Sequence, residues 1–154
     1  MNEFPENAVE MSNELLGGFN KSMGLCFIKA ARNELVAEIK IDERHLQPLG
    51  IVHGGVYASM IETVCSTGAA LYVFSEGKSA VGLENITSFL RAVRSGTLRC
   101  TARPVVTGRR SHLWEAQVTD DRDRMVATGR VRMIVLEPDS DADGITVELN
   151  TKPE

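Results

Sequence analysis

Between Ile51 and Phe74 the chain runs for 24 residues without a lysine, an arginine or an aspartate. Fifteen of these residues are apolar, and a helix of that length could cross a bilayer. His53, Ser59, Glu62, Thr63, Ser66, Thr67 and three glycines interrupt the run, however. A carboxylate near the centre of a lone span would be costly, and no second span shelters it. The stretch therefore reads as a helix enclosed by protein on nearly all sides. The rest of the chain has to supply the enclosure.

What flanks the helix is mostly strand. Two candidates precede it, Leu25–Ala31 and Leu35–Ile41, the second with Leu35, Ala37, Ile39 and Ile41 on one face. Four follow it, Val81–Val93, Thr97–Thr107, Ser111–Thr119 and Arg124–Leu136, joined by short polar or glycine-bearing turns. Pro104 inside the second of these four predicts a bulge or an edge. Residues 8–20 read as a short amphipathic helix stopped by Gly17 and Gly18. The 154 residues suffice for one domain. The expected layout is an N-terminal arm over 1–20, the domain over 21–137, and an acidic tail over 138–154. In that tail Ile145–Leu149 is either an extra edge strand or disordered. One curved antiparallel sheet wrapped around one helix satisfies this order, which makes the fold class α+β.

Composition narrows the setting. With 43% hydrophobic and 25% charged residues the chain has globular proportions, and its net charge of −4 argues against a general nucleic-acid binder. Cys26, Cys65 and Cys100 are odd in number, far apart and set in apolar stretches, so they read as small buried hydrophobes. The acidic start, Met1 to Glu6, does not resemble a signal peptide, and a cytoplasmic protein is expected.

The usual nucleotide and hydrolase motifs are missing, and His45, His53 and His112 show no metal-ligand spacing, so no metal is expected. The chemistry concentrates at the start of the long helix. Gly54 and Gly55 there let a ligand approach unpaired N–H groups at the positive end of the dipole, or simply allow tight helix–sheet contact. Gly55, Ser59, Glu62, Ser66 and Ala69 then follow at spacings of 4, 3, 4 and 3, forming one small, polar stripe. Glu62 on an otherwise apolar helix must pair with a cation, protonate or face a cavity. It is either a structural partner for an arginine or a poised base or nucleophile.

His53-Gly54-Gly55, a glutamate nine residues after the histidine, Ser66 four further on and Gln47 fifteen before Glu62 form a pattern. It resembles the hotdog-fold acyl-CoA thioesterases of the PaaI-like, 4-hydroxybenzoyl-CoA thioesterase group, on the branch that uses Glu. Val81-Gly82-Leu83-Glu84-Asn85, Phe89-Leu90-Arg91 and Gly108-Arg109-Arg110-Ser111 are similar to strands of that group. The likeness covers roughly residues 20–136.

The resemblance implies a hotdog domain that hydrolyses an acyl- or aroyl-CoA thioester. It needs no cofactor; coenzyme A is part of the substrate. The Gly54 N–H would polarise the thioester carbonyl, and Glu62 would attack it or activate water. Ser66 would hold the water or the carboxylate, while Gln47 and His53 orient the thioester; for His53 a helix-cap role is the alternative. Gly55, Ser59, Val81, Gly82, Arg91, Arg109, Arg110 and Ser111 would line the substrate site. A dimer or a tetramer of dimers is implied, with each site shared between two subunits. Met60, Tyr57 and Phe89 are candidates for the pocket wall, or for plain core.

The charge distribution is an independent signal. Ten arginines and only four acids fall between Arg91 and Arg132, leaving +6 there and −10 elsewhere. Such a sector suits a small phosphate-bearing ligand such as coenzyme A, although Arg99, Arg103, Arg130 and Arg132 also fit a solvated sheet face. Two other readings compete: a dehydratase or hydratase on the same fold, and a non-catalytic acyl-CoA-binding module. The binding module has no need for a costly carboxylate on a buried helix.

Overall fold

A computed structural model describes residues 4–147. After α1 (Ala8–Glu14) and α2 (Gly18–Ser22) come strands β1 (Cys26–Ala31) and β2 (Glu34–Lys40). A short 3₁₀ turn (Glu43–His45) leads to the long helix α3 (Gly54–Val73). Four long strands follow: β3 (Ser79–Phe89), β4 (Thr97–Thr107), β5 (Ser111–Thr119) and β6 (Met125–Leu136). They join β1 and β2 in one antiparallel sheet of order β1-β2-β4-β5-β6-β3, and α3 packs across its inner face. No helix among the described residues is long and apolar enough to cross a membrane.

Strand alternation produces the core. In β2, Leu35, Ala37 and Ile39 are fully buried; in β5 and β6, Trp114, Val118, Val131 and Met133 join them. From α3, Met60, Ile61, Val64 and Cys65 fill the space beneath the sheet, each large side chain contributing about 1.5–3 kcal/mol. Gly68 lets the helix approach closely, since a Cβ there would meet the Trp114 ring at 2.6 Å.

Three local expectations need correction. The N-terminal helix does not run through 8–20: α1 ends at Glu14, and Gly17 caps the separate α2 instead of stopping a helix. Cys65 and Cys100 are buried as expected, but Cys26 is exposed. Its side chain points outward from an edge strand. The tail forms only a minor hairpin, β7 (Asp141–Ala142) with β8 (Ile145–Thr146), outside the main sheet. Residues 148 and 149 of the expected strand lie outside the described range. Pro104 carries a bulge, with the register shifting between Pro104 and Val106, although β4 is an interior strand.

The two sheet edges differ. At β1, Asn13 of α1 mimics a neighbouring strand, its amide accepting from the Phe27 N–H (2.8 Å) and donating to the Phe27 carbonyl (2.9 Å). At the other edge β3 pairs only with β6 among the described residues. Val81, Leu83, Ile86, Phe89 and Leu90 lie exposed along this edge and just past its end.

Candidate active site

The loop ahead of α3 is built to place the helix start. Asp42 and His45 form a capping box, and the buried His45 donates from Nε2 to the Met23 carbonyl at 2.9 Å. The His53 N–H donates to the His45 carbonyl (2.8 Å) and the Val52 N–H to the Val93 carbonyl (2.8 Å). Arg94 clasps the turn by donating to the carbonyls of Leu49 and Gly50. Gly50 itself has φ +70°, a left-handed backbone that favours glycine.

At the helix start, His53 is the N-cap: its Nδ1 accepts from the Gly55 N–H at 2.8 Å. The Val56 N–H is taken by the His53 carbonyl. The Gly54 N–H has no protein acceptor among the described residues, and the Phe89 ring lies against its Cα. One free donor therefore stands at the positive end of a 20-residue helix.

Two turns further along, Glu62 is half-buried at an open cavity of about 650 Å³. Ala58, Ser59, Thr63 and Ser66 of α3, Asn85, Thr87 and Phe89 of β3, and Phe19 and Asn20 of α2 complete its lining. The Asn85 amide donates to Glu62 Oε2 at 2.9 Å. On the other side, the carboxylate lies over Gly82, where any Cβ would collide with Oε1. Among the described residues no cation of the same chain pairs with Glu62.

The remaining expected residues are dispersed. Ser59 and Ser66 border the cavity, but their hydroxyls donate back to the carbonyls of Gly55 (2.6 Å) and Thr63 (3.3 Å), not to Glu62. The Gln47 side-chain Oε1 accepts from the Leu49 N–H, and Gln47 does not line the cavity. Tyr57 and Met60 are core residues at 3% and 0% exposure, whereas Phe89 is 59% exposed and forms wall.

Val81 is exposed beside Gly82 near the start of β3, in one cross-strand row with Ile134 and Ser111. Arg109 and Arg110 therefore stand at that end of the sheet, while Arg91 follows the opposite end of β3. Among the described residues these three arginines and Arg122 have no side-chain partner. Arg99, Arg103, Arg130 and Arg132 pair with Glu38, Glu34, Glu115 and Glu84 across the outer face. The basic sector thus shrinks to a few free guanidinium groups.

Phe19, Asn20, Thr63, Asn85 and Thr87 line the cavity without having been assigned to the site from sequence. Asn85 and Thr87 stand two apart in β3 and so share a face, but the register shift between Gly82 and Glu84 decides that this face is the helix side. No three His, Cys, Asp or Glu side chains cluster as metal ligands among the described residues. Burial pushes the Cys65 and Cys100 thiols up, away from thiolate chemistry.

A helix wrapped by a six-stranded antiparallel sheet, with a carboxylate at a cavity on the helix, defines a class that comparison with known proteins identifies. Residues 49–127 match the family model described as the thioesterase superfamily. The chain is 36% identical to the proofreading thioesterase EntH of Klebsiella pneumoniae, covering 74% of this chain and 82% of that one. It is 42% identical to Rv1847 of Mycobacterium tuberculosis, provisionally named an esterase, over 77% of this chain and 86% of that one. Among solved structures, thioesterase HI1161 of Haemophilus influenzae superposes with a TM-score of 0.82 at 28% identity, covering 89% of this chain and 96% of that one. The chain belongs to the thioesterase superfamily. It has the hotdog fold of that family and is a thioester hydrolase.

Proposed function

We propose that the substrate is an acyl- or aroyl-coenzyme A and that Glu62 performs the reaction, as nucleophile or as the base that activates water. The observation that carries this reading is the Glu62 carboxylate, which faces an open cavity with an amide for a partner and no described cation to neutralise it. A carboxylate in that setting is held ready for a carbonyl carbon or a water. The C–S bond breaks, a C–O bond forms with oxygen from water, and the thiol leaves with a proton. No bound cofactor enters these steps.

Helix geometry argues that two chains complete one site. Gly54 and Glu62 are eight residues apart, about 12 Å along the axis, whereas an oxyanion donor and a nucleophile must converge on one carbonyl within roughly 3 Å of each. A second copy pairing β3 with β3 in antiparallel fashion would bring a Gly54 N–H from one chain toward Glu62 of the other. It would also set Arg109 and Arg110 of one copy beside Arg91 of its partner, gathering the free guanidinium groups for the phosphates of coenzyme A.

The test is free-thiol release from a panel of short, medium, long and aromatic acyl-CoAs. Glu62→Gln and Glu62→Ala are expected to lose roughly a hundredfold or more in turnover while the fold persists by circular dichroism. Unchanged turnover of a competent substrate by both variants would overturn the assignment.

A further inference from the structure

Asn85 holds Glu62 in a manner that fixes its own orientation as well. Its Nδ2 donates to Glu62 Oε2 at 2.9 Å and to the Ala58 carbonyl at 3.1 Å. Two acceptors on one side require the NH₂ end there, so the amide has a single sensible orientation. Its Oδ1 in turn accepts from the Thr87 hydroxyl at 2.6 Å. Ala58 is one helical turn before Glu62, so the amide ties β3 to the turn that carries the carboxylate. Gly82, on the same strand face, leaves the space into which the carboxylate swings. Oε2 is therefore occupied, while Oε1 accepts no hydrogen bond among the described residues.

We infer that Asn85, itself oriented by Thr87, is a positioning residue that presents Glu62 Oε1 to the reacting carbonyl or water. This rests on the role proposed for Glu62. A strand position facing an apolar helix would ordinarily carry an apolar residue; here two successive inward positions are polar, bonded to each other, and Asn85 in turn bonds the acid. Thr87 acts at one remove, since its hydroxyl reaches the amide and not the carboxylate.

The experiment measures kcat and KM separately for thiol release by the full-length protein. Asn85→Ala is expected to lower kcat at least tenfold with KM within about twofold of the parent. Thr87→Val lowers kcat about three- to tenfold, Thr87→Ser recovers at least half of that loss, and the double variant is no slower than Asn85→Ala alone. Melting midpoints of Glu62→Ala, Asn85→Ala and their combination are expected to be non-additive by about 2–4 °C, whatever the substrate. A loss confined to KM would make Asn85 a substrate contact and overturn the inference, as would additive midpoints. If Glu62→Gln loses turnover and Asn85→Ala keeps it, the positioning role alone fails. If Glu62→Gln and Glu62→Ala both keep turnover, the role of Glu62 fails and that of Asn85 with it.

Discussion

Gly82 matters for what it lacks. With no side chain it admits the Glu62 carboxylate against the backbone of β3, and a Cβ would collide with Oε1. Gly82→Ala is therefore expected to rotate Glu62 off its bond to Asn85, lowering turnover at least tenfold. The added methyl points to the helix side and leaves the backbone edge of β3 unchanged, so the melting midpoint should move by no more than a few degrees. Retention of full kcat by this variant would show that the carboxylate has room to spare. His53 makes the complementary point: its ring caps the helix by accepting from Gly55, which leaves Gly54 as the free donor of the first turn.

The turn between β5 and β6 stores charge for stability, not catalysis. Asp120 accepts from the backbone N–H groups of Arg122 and Arg124, at 3.0 Å each, and from the Arg124 guanidinium at 2.6 and 2.9 Å. Chiefly the guanidinium bond, against the cost of desolvation, holds its carboxyl near a pKa of about 2, below the ordinary 3.8. The folded value is the lower one, so the ion pair contributes its full stability above 3.8 and loses it as pH falls through about 2. The melting midpoint of the parent should therefore fall more steeply between pH 4 and pH 2 than that of Asp120→Asn. Parallel curves would remove Asp120 from the causes of acid sensitivity.

At the scale of the molecule, an 11-residue strand at one edge carries exposed apolar side chains and pairs on one side only among the described residues, while at the opposite edge Asn13 occupies the N–H and carbonyl of Phe27. An edge left like that is a template for another strand. On the proposed pairing of two copies through β3, Ile86→Lys should yield a monomer by sedimentation at micromolar concentration. It should lose thiol release as well, because each site would lack its second half. A parent protein already monomeric at that concentration, and active, would contradict the shared site. The same scale explains the arginines: Arg99, Arg103, Arg130 and Arg132, which fit a solvated sheet face, lie there in cross-strand pairs with glutamates.

Much of this was legible in the chain itself. A long apolar helix bearing one carboxylate, and strands whose apolar residues alternate, specify a wrapped helix because burial is roughly additive along the chain. The stripe containing Ser59, Glu62 and Ser66 follows from the helical repeat alone. Asn85 was beyond that reach. Alternation places Gly82 and Asn85 on opposite faces of a regular strand, but the register shift between Gly82 and Glu84 brings both to the helix side. A bulge is decided by how the strand meets β6 and by the space the Glu62 side chain needs, and neither is a local property. The sequence by itself determined the helix, the sheet and the acid. Only the tertiary structure decided which partners hold that acid, because hydrogen bonds between distant segments depend on register and packing that no single segment encodes.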